Sequence, residues 1–266
     1  VITESLNLLT GPKPLSYPLL IDAQVAELVD AQVSGTCGRK AVEVRVFSWA
    51  PITPLTEGER RLLSIELHKG DLPDGLDFGH SVAIDTETMG LDPHRDRLCL
   101  VQLSAGDGDC HLVQIPAKNR TAPNLIRLLS DPNVLKLFHF ARFDVAVLHH
   151  GLGVACAPIY CTKIASRLVR TYTDRHGLKD LCRELLDVDI SKQQQSSDWG
   201  SATLSEAQIT YAASDVLHLH ALKERLDAML QREGRTHLAE SAFGFLPTRA
   251  ALDLGGWSDE DIFSHS

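Results

Sequence analysis

The sequence lacks the features of a membrane or secreted protein. It has no apolar run near the roughly 20 residues of a membrane-spanning helix, and no charged-then-apolar leader opens it. It contains no CxxC pair, and its 6 cysteines are spaced too irregularly for a zinc ribbon or a secreted disulfide framework. We therefore expect a soluble, cytoplasmic protein with reduced thiols that binds no membrane.

Positive charge is also scarce. Lys and Arg number 26 against 35 Asp and Glu, which gives a formal net charge of −9. A broad basic surface that binds long nucleic acid non-specifically is therefore not expected. A cluster of carboxylates would nevertheless attract phosphate once divalent cations are bound to it. The charge balance therefore argues against a general nucleic-acid-coating protein but not against a nuclease.

Residues 1–62 show weak periodicity and no motif suited to chemistry, so we interpret them as an extension outside the domain. Residues 25–51 resemble the peptide that results when a leucine transfer-RNA gene is translated in frame. We hypothesise that native translation begins near Leu62 or Leu63, from a non-ATG codon. The alternative is an ordinary disordered or docking extension. Amino-terminal sequencing of the native protein distinguishes the two, and a first residue upstream of Val25 would contradict the hypothesis.

The remainder, residues 63–266, has the pattern of an α/β domain. At 266 residues and 44% hydrophobic, the chain is long enough to bury a full-sized core. The alternating or compact apolar segments predict strands at residues 81–85, 98–104, 110–115 and 134–138, with a hairpin turn at residues 105–108. Helical periodicity predicts helices at residues 123–130, 141–150, 162–170, 178–186 and 205–232. This order implies a mixed central sheet flanked by helices.

Two carboxylates end the first of these strands. Asp85 and Glu87 are two residues apart, so the period of a strand sends both to the same side while Thr86 points away. Oxygen ligands at this position suit Mg²⁺ or Mn²⁺ rather than zinc, which calls for His or Cys. Taken alone, such a carboxylate is more often a helix cap than a metal ligand.

Three further side chains join the pattern. Asp144 lies at the start of the helix after the strand at residues 134–138, a position where an Asp commonly serves only the helix dipole. Tyr211 and Asp215 are four residues apart and share a helix face. The order of the three segments favours a shared site: a DxE on a strand, an Asp after a later strand and a YxxxD on a distal helix.

These segments resemble the three motifs of the DEDD exonuclease superfamily in its tyrosine subclass, and the residues around them resemble those of the ribonuclease D family. The stretch from His176 to Leu181, followed by Ser191-Lys192 and Ser197-Asp198-Trp199, is similar to the ribonuclease D segment before the third motif. The ending, from Phe245 to Phe263, resembles the compact nano-RNase C-like members. The resemblance runs from about residue 64 to the C-terminus and implies a ribonuclease H-like (DnaQ-like) exonuclease fold.

The resemblance also implies a function: a two-metal 3′-5′ exoribonuclease that releases nucleoside 5′-monophosphates from short oligoribonucleotides and assembles into a homo-oligomeric ring. It assigns Asp85, Glu87 and Asp215 as ligands of one divalent cation, Mg²⁺ or Mn²⁺. Asp85 would also bind a second cation, which Asp144 would support. Tyr211 would orient the attacking water, because a phenol of pKa about 10 is a poor base at neutral pH. The expected substrate-binding residues are Thr88, Met89, His139, Arg142 and Lys192.

Alternatives remain open at this point. A general RNA-trimming ribonuclease D or a DNA 3′-5′ exonuclease would use the same acids, and the 2′-hydroxyl contact that separates RNA from DNA cannot be located in a sequence. An inactive exonuclease-fold RNA-binding protein would normally have lost metal ligands, and here every motif position is filled. The acidic balance, the nano-RNase-like ending and the expected absence of accessory helical domains favour short substrates.

Overall fold

The structure is a computed structural model that describes residues 64–118, 121–191, 193–194 and 196–265. The extension at residues 1–62 and the proposed start near Leu62 or Leu63 lie outside these ranges, as does Lys192. No helix in the described ranges is both long and apolar enough to cross a membrane.

Six strands form a mixed sheet in this part of the chain. They are Ser64–Lys69 (β1), Ser81–Thr88 (β2), Leu98–Ser104 (β3), Asp109–Gln114 (β4), Leu135–Phe138 (β5) and Ile159–Cys161 (β6). Their spatial order is β1-β4-β3-β2-β5-β6. The pairs β2–β3 and β3–β4 are antiparallel, whereas β1 joins β4, and β5 and β6 extend β2, in parallel fashion. The predicted mixed sheet is confirmed.

The hairpin between β3 and β4 follows from its turn residues. Gly106 and Gly108 have φ of 82° and 95°, a backbone region that glycine enters without steric cost. Every residue of β3 is buried, as expected for a central strand covered on both faces. The hairpin predicted at residues 105–108 is confirmed.

Seven α-helices accompany the sheet in the described residues. They are Pro123–Ser130 (α1), Ala141–Leu152 (α2), Thr162–Val169 (α3), Leu178–Leu186 (α4), Glu206–Ser214 (α5), Leu219–Arg232 (α6) and Thr236–Leu252 (α7), and a π-helical turn at Asp253–Trp257 follows. The sequence patterns did not predict β1, β6 or α7. β6 has only 3 residues, and α7 contains Pro247 in its interior, so neither presents the usual signal.

The single helix predicted at residues 205–232 is wrong, because the chain forms two helices there. α5 begins with a capping box in which Ser205 and Gln208 satisfy each other's backbone N–H groups. It ends where the Ser214 hydroxyl donates to the Tyr211 carbonyl oxygen at 2.7 Å, a local bond that competes with the helix. Asp215 keeps right-handed helical dihedrals (φ −75°, ψ −18°), so it still follows Tyr211 by about one turn.

Candidate active site

The end of β2 brings three carboxylates together. Asp85 and Glu87 lie two residues apart on this strand, and Asp215 caps the C-terminus of α5. One carboxylate oxygen from each lies within 4.8 Å of those of the other two. The predicted YxxxD and DxE segments therefore meet in the fold.

A fourth carboxylate, that of Asp144, hydrogen-bonds the residue between Asp85 and Glu87. Asp144 is buried in the first turn of α2, and its Oδ1 accepts a 2.7 Å hydrogen bond from the Thr86 hydroxyl. Gln102 on the neighbouring strand β3 donates from Nε2 to Oδ2 of Asp85 at 3.3 Å. The side chain that points away from Asp85 and Glu87 is thus the one that positions Asp144, a role that the sequence pattern did not indicate.

These acids raise one another's pKa. Burial raises the pKa of Glu87 to about 9, and repulsion from Asp215 and Asp144 adds to it. Burial, then the charges of Asp144 and Asp215, hold the pKa of Asp85 well above its ordinary range. Burial raises the pKa of Asp144 to about 7, although the Thr86 hydrogen bond opposes this shift. A cluster of this kind is stable as carboxylates only beside positive charge, and hard oxygen donors suit divalent cations such as Mg²⁺ or Mn²⁺.

Tyr211 stands against the same cluster. Its hydroxyl hydrogen-bonds Asp215, and its ring centroid lies 6.1 Å from that of the buried Trp199. Burial, followed by the charges of Asp215 and Glu87, raises the pKa of the phenol above its ordinary value. The hydroxyl therefore keeps its proton at neutral pH and acts as a hydrogen-bond donor.

These groups line a cleft of about 690 Å³. Thr88, Met89 and His139 line it as well, and His139 also hydrogen-bonds the Thr162 hydroxyl at 2.9 Å. Arg142 is not brought to this cleft. Its guanidinium donates to the Asp253 carboxylate at 2.6 and 2.8 Å, and it lines a neighbouring cavity.

The cleft also contains side chains to which the sequence analysis gave no role. Lys163 and Lys179 line it, and the Lys163 Nζ lies 4.1 Å from the centre of the Phe140 ring. Phe140 has φ of 70°, a strained value for a residue with a large side chain, and its side chain is exposed. Lys179 belongs to the ribonuclease D-like stretch and could have been found there. Phe140 lies next to His139 in the segment before Asp144 but was given no role, and Lys163 lies in no motif.

Comparison with known proteins agrees with this geometry. Residues 66–231 match the model of the 3′-5′ exonuclease family, a range that contains all the acids described above and Tyr211. The structure of Brucella melitensis NrnC with bound Mg²⁺ is 58% identical, covers 76% of this chain and 100% of that one, and has a TM-score of 0.74. The structure of the same protein bound to pGG is 58% identical, covers 77% of this chain and 100% of that one, and has a TM-score of 0.75.

Two ribonuclease D proteins are also similar. That of Gluconacetobacter diazotrophicus is 39% identical over 171 residues, which is 64% of this chain and 43% of the relative, so this chain spans less than half of the relative's length. The crystal structure of Escherichia coli RNase D shares the fold, with 24% identity, a TM-score of 0.57 and coverage of 64% of this chain and 45% of that one. The predicted ribonuclease H-like fold is confirmed, and the chain belongs to the 3′-5′ exonuclease family of hydrolases.

Proposed function

We propose that this protein is a 3′-5′ exoribonuclease that degrades short oligoribonucleotides to nucleoside 5′-monophosphates. The observation that carries the proposal is the carboxylate cluster of Asp85, Glu87 and Asp215, whose oxygens lie within 4.8 Å of one another in an open cleft. The NrnC structures with Mg²⁺ and with pGG support it, because this chain matches that protein over its full length.

The acids fit two divalent cations. Asp85, Glu87 and Asp215 would hold one ion, and Asp144 would support a second beside Asp85. The raised pKa values of Glu87 and Asp144 indicate that these carboxyl groups need positive charge beside them in order to stay ionised at neutral pH. Bound ions of this kind lower the pKa of a water molecule and stabilise charge on the phosphate and the leaving oxygen.

Tyr211 prepares the reaction by orienting water. In the hydrolysis a water oxygen forms a bond to phosphorus, the bond between phosphorus and the 3′-oxygen breaks, and that oxygen takes up a proton. The phenol is protonated and hydrogen-bonded to Asp215, so it can hold the water in line with the bond that breaks. His139, Lys163 and Lys179 present donors and positive charge for the phosphate oxygens, as charge-assisted hydrogen bonds require.

A preference for short substrates is supported by the size of the cleft and by the net charge of the protein. The cleft of about 690 Å³ falls in the range of small-ligand pockets, about 300–1,000 Å³, which suits one or two nucleotides. The net charge of −9 disfavours the extended backbone contacts that long RNA needs. Thr88 and Met89, beside the acids at the end of β2, are the side chains that we assign to the terminal nucleotide.

The test compares specificity constants. kcat/KM is measured at physiological salt for a dinucleotide, for an unstructured RNA of roughly 20 nucleotides and for DNA of the same two lengths, with labels at the 5′ end to show the direction of digestion. We expect the RNA dinucleotide to be the better substrate by at least tenfold. A tenfold advantage for the long RNA would instead indicate a general trimming ribonuclease D, and an advantage for DNA a DNA exonuclease.

We also propose that the subunits form a homo-oligomeric ring, which would narrow access to each cleft and strengthen the preference for short substrates. The support is the nano-RNase C-like sequence of the ending. Light scattering on the purified protein tests it directly, since a monomeric mass would contradict the ring. The cytoplasmic location stays a prediction.

A further inference from the structure

A second group of potential metal ligands lies at the β1 edge of the sheet. Glu66 and His68 are two residues apart on β1, so their side chains emerge on the same face. His111 on β4 is the register partner of Glu66, and partners across a ladder share a face. The strands therefore gather a carboxylate and two imidazoles at one point.

The distances between the three ligand atoms suit one ion. His68 Nε2 lies 3.1 Å from His111 Nδ1, and each of these nitrogens lies 3.8 Å from Oε2 of Glu66. In a triangle with sides of 3.1, 3.8 and 3.8 Å, the point equidistant from the corners is about 2.1 Å from each, and zinc binds His nitrogen and carboxylate oxygen at about 2.0–2.2 Å. The distances between the three ligand atoms thus match those around a single bound ion.

The environment of the imidazoles also suits ligation. The side chains of His68 and His111 are only 16% and 14% exposed, and the Phe78 and His111 rings make a T-shaped contact at a centroid distance of 5.6 Å. Glu66 is exposed, so the side of the cluster that it forms is open to solvent.

This cluster is separate from the catalytic acids. His111 pairs with Leu103, and Leu103 pairs with Ile84, so His111 shares its face with the residue next to Asp85 and not with Asp85 itself. Between His111 on β4 and Asp85 on β2 lies β3, a separation of roughly 10 Å at about 4.8 Å per strand. An ion at the cluster therefore lies on the other face of the sheet.

We propose that Glu66, His68 and His111 form a transition-metal site that binds Zn²⁺ and fastens the edge strand β1 to β4. Two imidazoles and one carboxylate are a donor set for zinc and not for Mg²⁺, which prefers oxygen alone. An ion held by both strands stabilises the pairing of β1 with β4, the strand pair at this edge of the sheet. The inference is independent of the substrate that the nuclease cleaves.

The experiment measures Zn²⁺ binding to the full chain in excess Mg²⁺, which competes with Zn²⁺ for the catalytic acids. Metal-free protein is dialysed against Zn²⁺ with millimolar Mg²⁺, and bound zinc is counted by elemental analysis. We expect one equivalent on the wild type, and at least a tenfold loss of affinity in His68→Gln, His111→Gln and Glu66→Gln. Zn²⁺ should also raise the melting temperature of the wild type and not that of His111→Gln.

Two matched variants locate the ion. Asp85→Asn removes a catalytic acid and should keep the zinc. His94→Gln removes a histidine that packs on His150 at a ring-centroid distance of 5.1 Å but belongs to no such three-ligand cluster in the described residues, and it should also keep the zinc.

Zinc lost in Asp85→Asn and retained in His111→Gln would place the ion at the catalytic acids and overturn the proposal. Absence of bound zinc from the wild type would show that the two imidazoles form only a hydrogen-bonded pair. Because Glu66 is exposed, Glu66→Gln keeps the test decisive if a histidine variant fails to fold.

Discussion

Thr86 contributes to the site although its side chain carries no charge. Its neighbours Asp85 and Glu87 turn toward Asp215, whereas its own hydroxyl donates to the Asp144 carboxylate at 2.7 Å. Three consecutive residues therefore include two of the acids and hydrogen-bond a third. The two roles are separated because alternate side chains of a strand point to opposite faces.

Replacing Asp85 with Asn should abolish hydrolysis without harming the fold. The amide removes a charge from the cluster where burial and three neighbouring acids raise the pKa, so the metal-free protein should melt no lower than the wild type. We expect the rate to fall by at least roughly 10³-fold, and a chelator to have the same effect on the wild type. Asp174→Asn, at an exposed residue, is the control. Full turnover of the variant in Mn²⁺ would contradict the ligand assignment.

Replacing Tyr211 with Phe should slow the reaction and leave binding intact, because only the hydroxyl that orients water is lost. We expect kcat to fall by roughly 10²-fold while KM for a dinucleotide changes less than twofold. Steady-state kinetics measure both. Tyr172→Phe removes an exposed phenol from the surface and should change neither constant. A Tyr211→Phe enzyme as fast as the wild type would remove this residue from the mechanism.

At the scale of elements, Asp253 links α2, α7 and the turn after α7. Its carboxylate accepts bonds from Arg142 at 2.6 and 2.8 Å and from Arg249 at 2.7 and 3.0 Å. Arg142 also donates to the Ser258 carbonyl oxygen at 2.7 Å. Arg142 therefore has a structural role in this structure, where the sequence had suggested phosphate binding.

This link predicts separate effects on stability and on substrate binding. Asp253→Asn should lower the free energy of unfolding by about 2 kcal/mol, since it weakens hydrogen bonds to charged groups. Arg142→Gln should also destabilise the protein and leave KM unchanged. Urea unfolding and steady-state kinetics provide the two measurements, and Arg167→Gln, at an exposed position on α3, is the control. A stable Arg142→Gln protein with a tenfold higher KM would restore the substrate-binding role.

At the scale of the whole molecule, the buried acids make stability depend on pH and metal. Glu87 has a pKa of about 9 in the folded protein against an ordinary 4.5, and Asp144 about 7 against 3.8. At a pH between the unfolded and the folded pKa of each acid, the folded metal-free protein keeps a proton that the unfolded chain has released. Stability that is present below about pH 4 is therefore lost as the pH rises toward about 9.

Urea unfolding in the presence of a chelator should show this decline, and Mg²⁺ should reduce it, because the ion favours the charged carboxylates. In Glu87→Gln the decline should be smaller, whereas Glu206→Gln, at an exposed residue in the first turn of α5, should behave as the wild type does. An identical decline in the wild type and in Glu87→Gln would show that Glu87 is not the group that titrates.

Local periodicity was sufficient to predict much of this molecule. The strand at Leu98–Ser104, the helix at Leu178–Leu186 and the hairpin turn between β3 and β4 follow from alternation, amphipathic spacing and glycine. The order of DxE, Asp and YxxxD segments also identified the acids that the fold brings together. Each acid lies near the end of a strand or helix, and the sequence pattern predicts such ends.

Only the tertiary structure decided which partners these residues have. Thr86 meets Asp144, Arg142 meets Asp253, and His68 meets His111 across 58, 111 and 43 residues of sequence. A sequence pattern reports which face of its own element a side chain occupies. The identity of the group on the facing element depends on sheet order and helix packing, which long-range burial of the core determines.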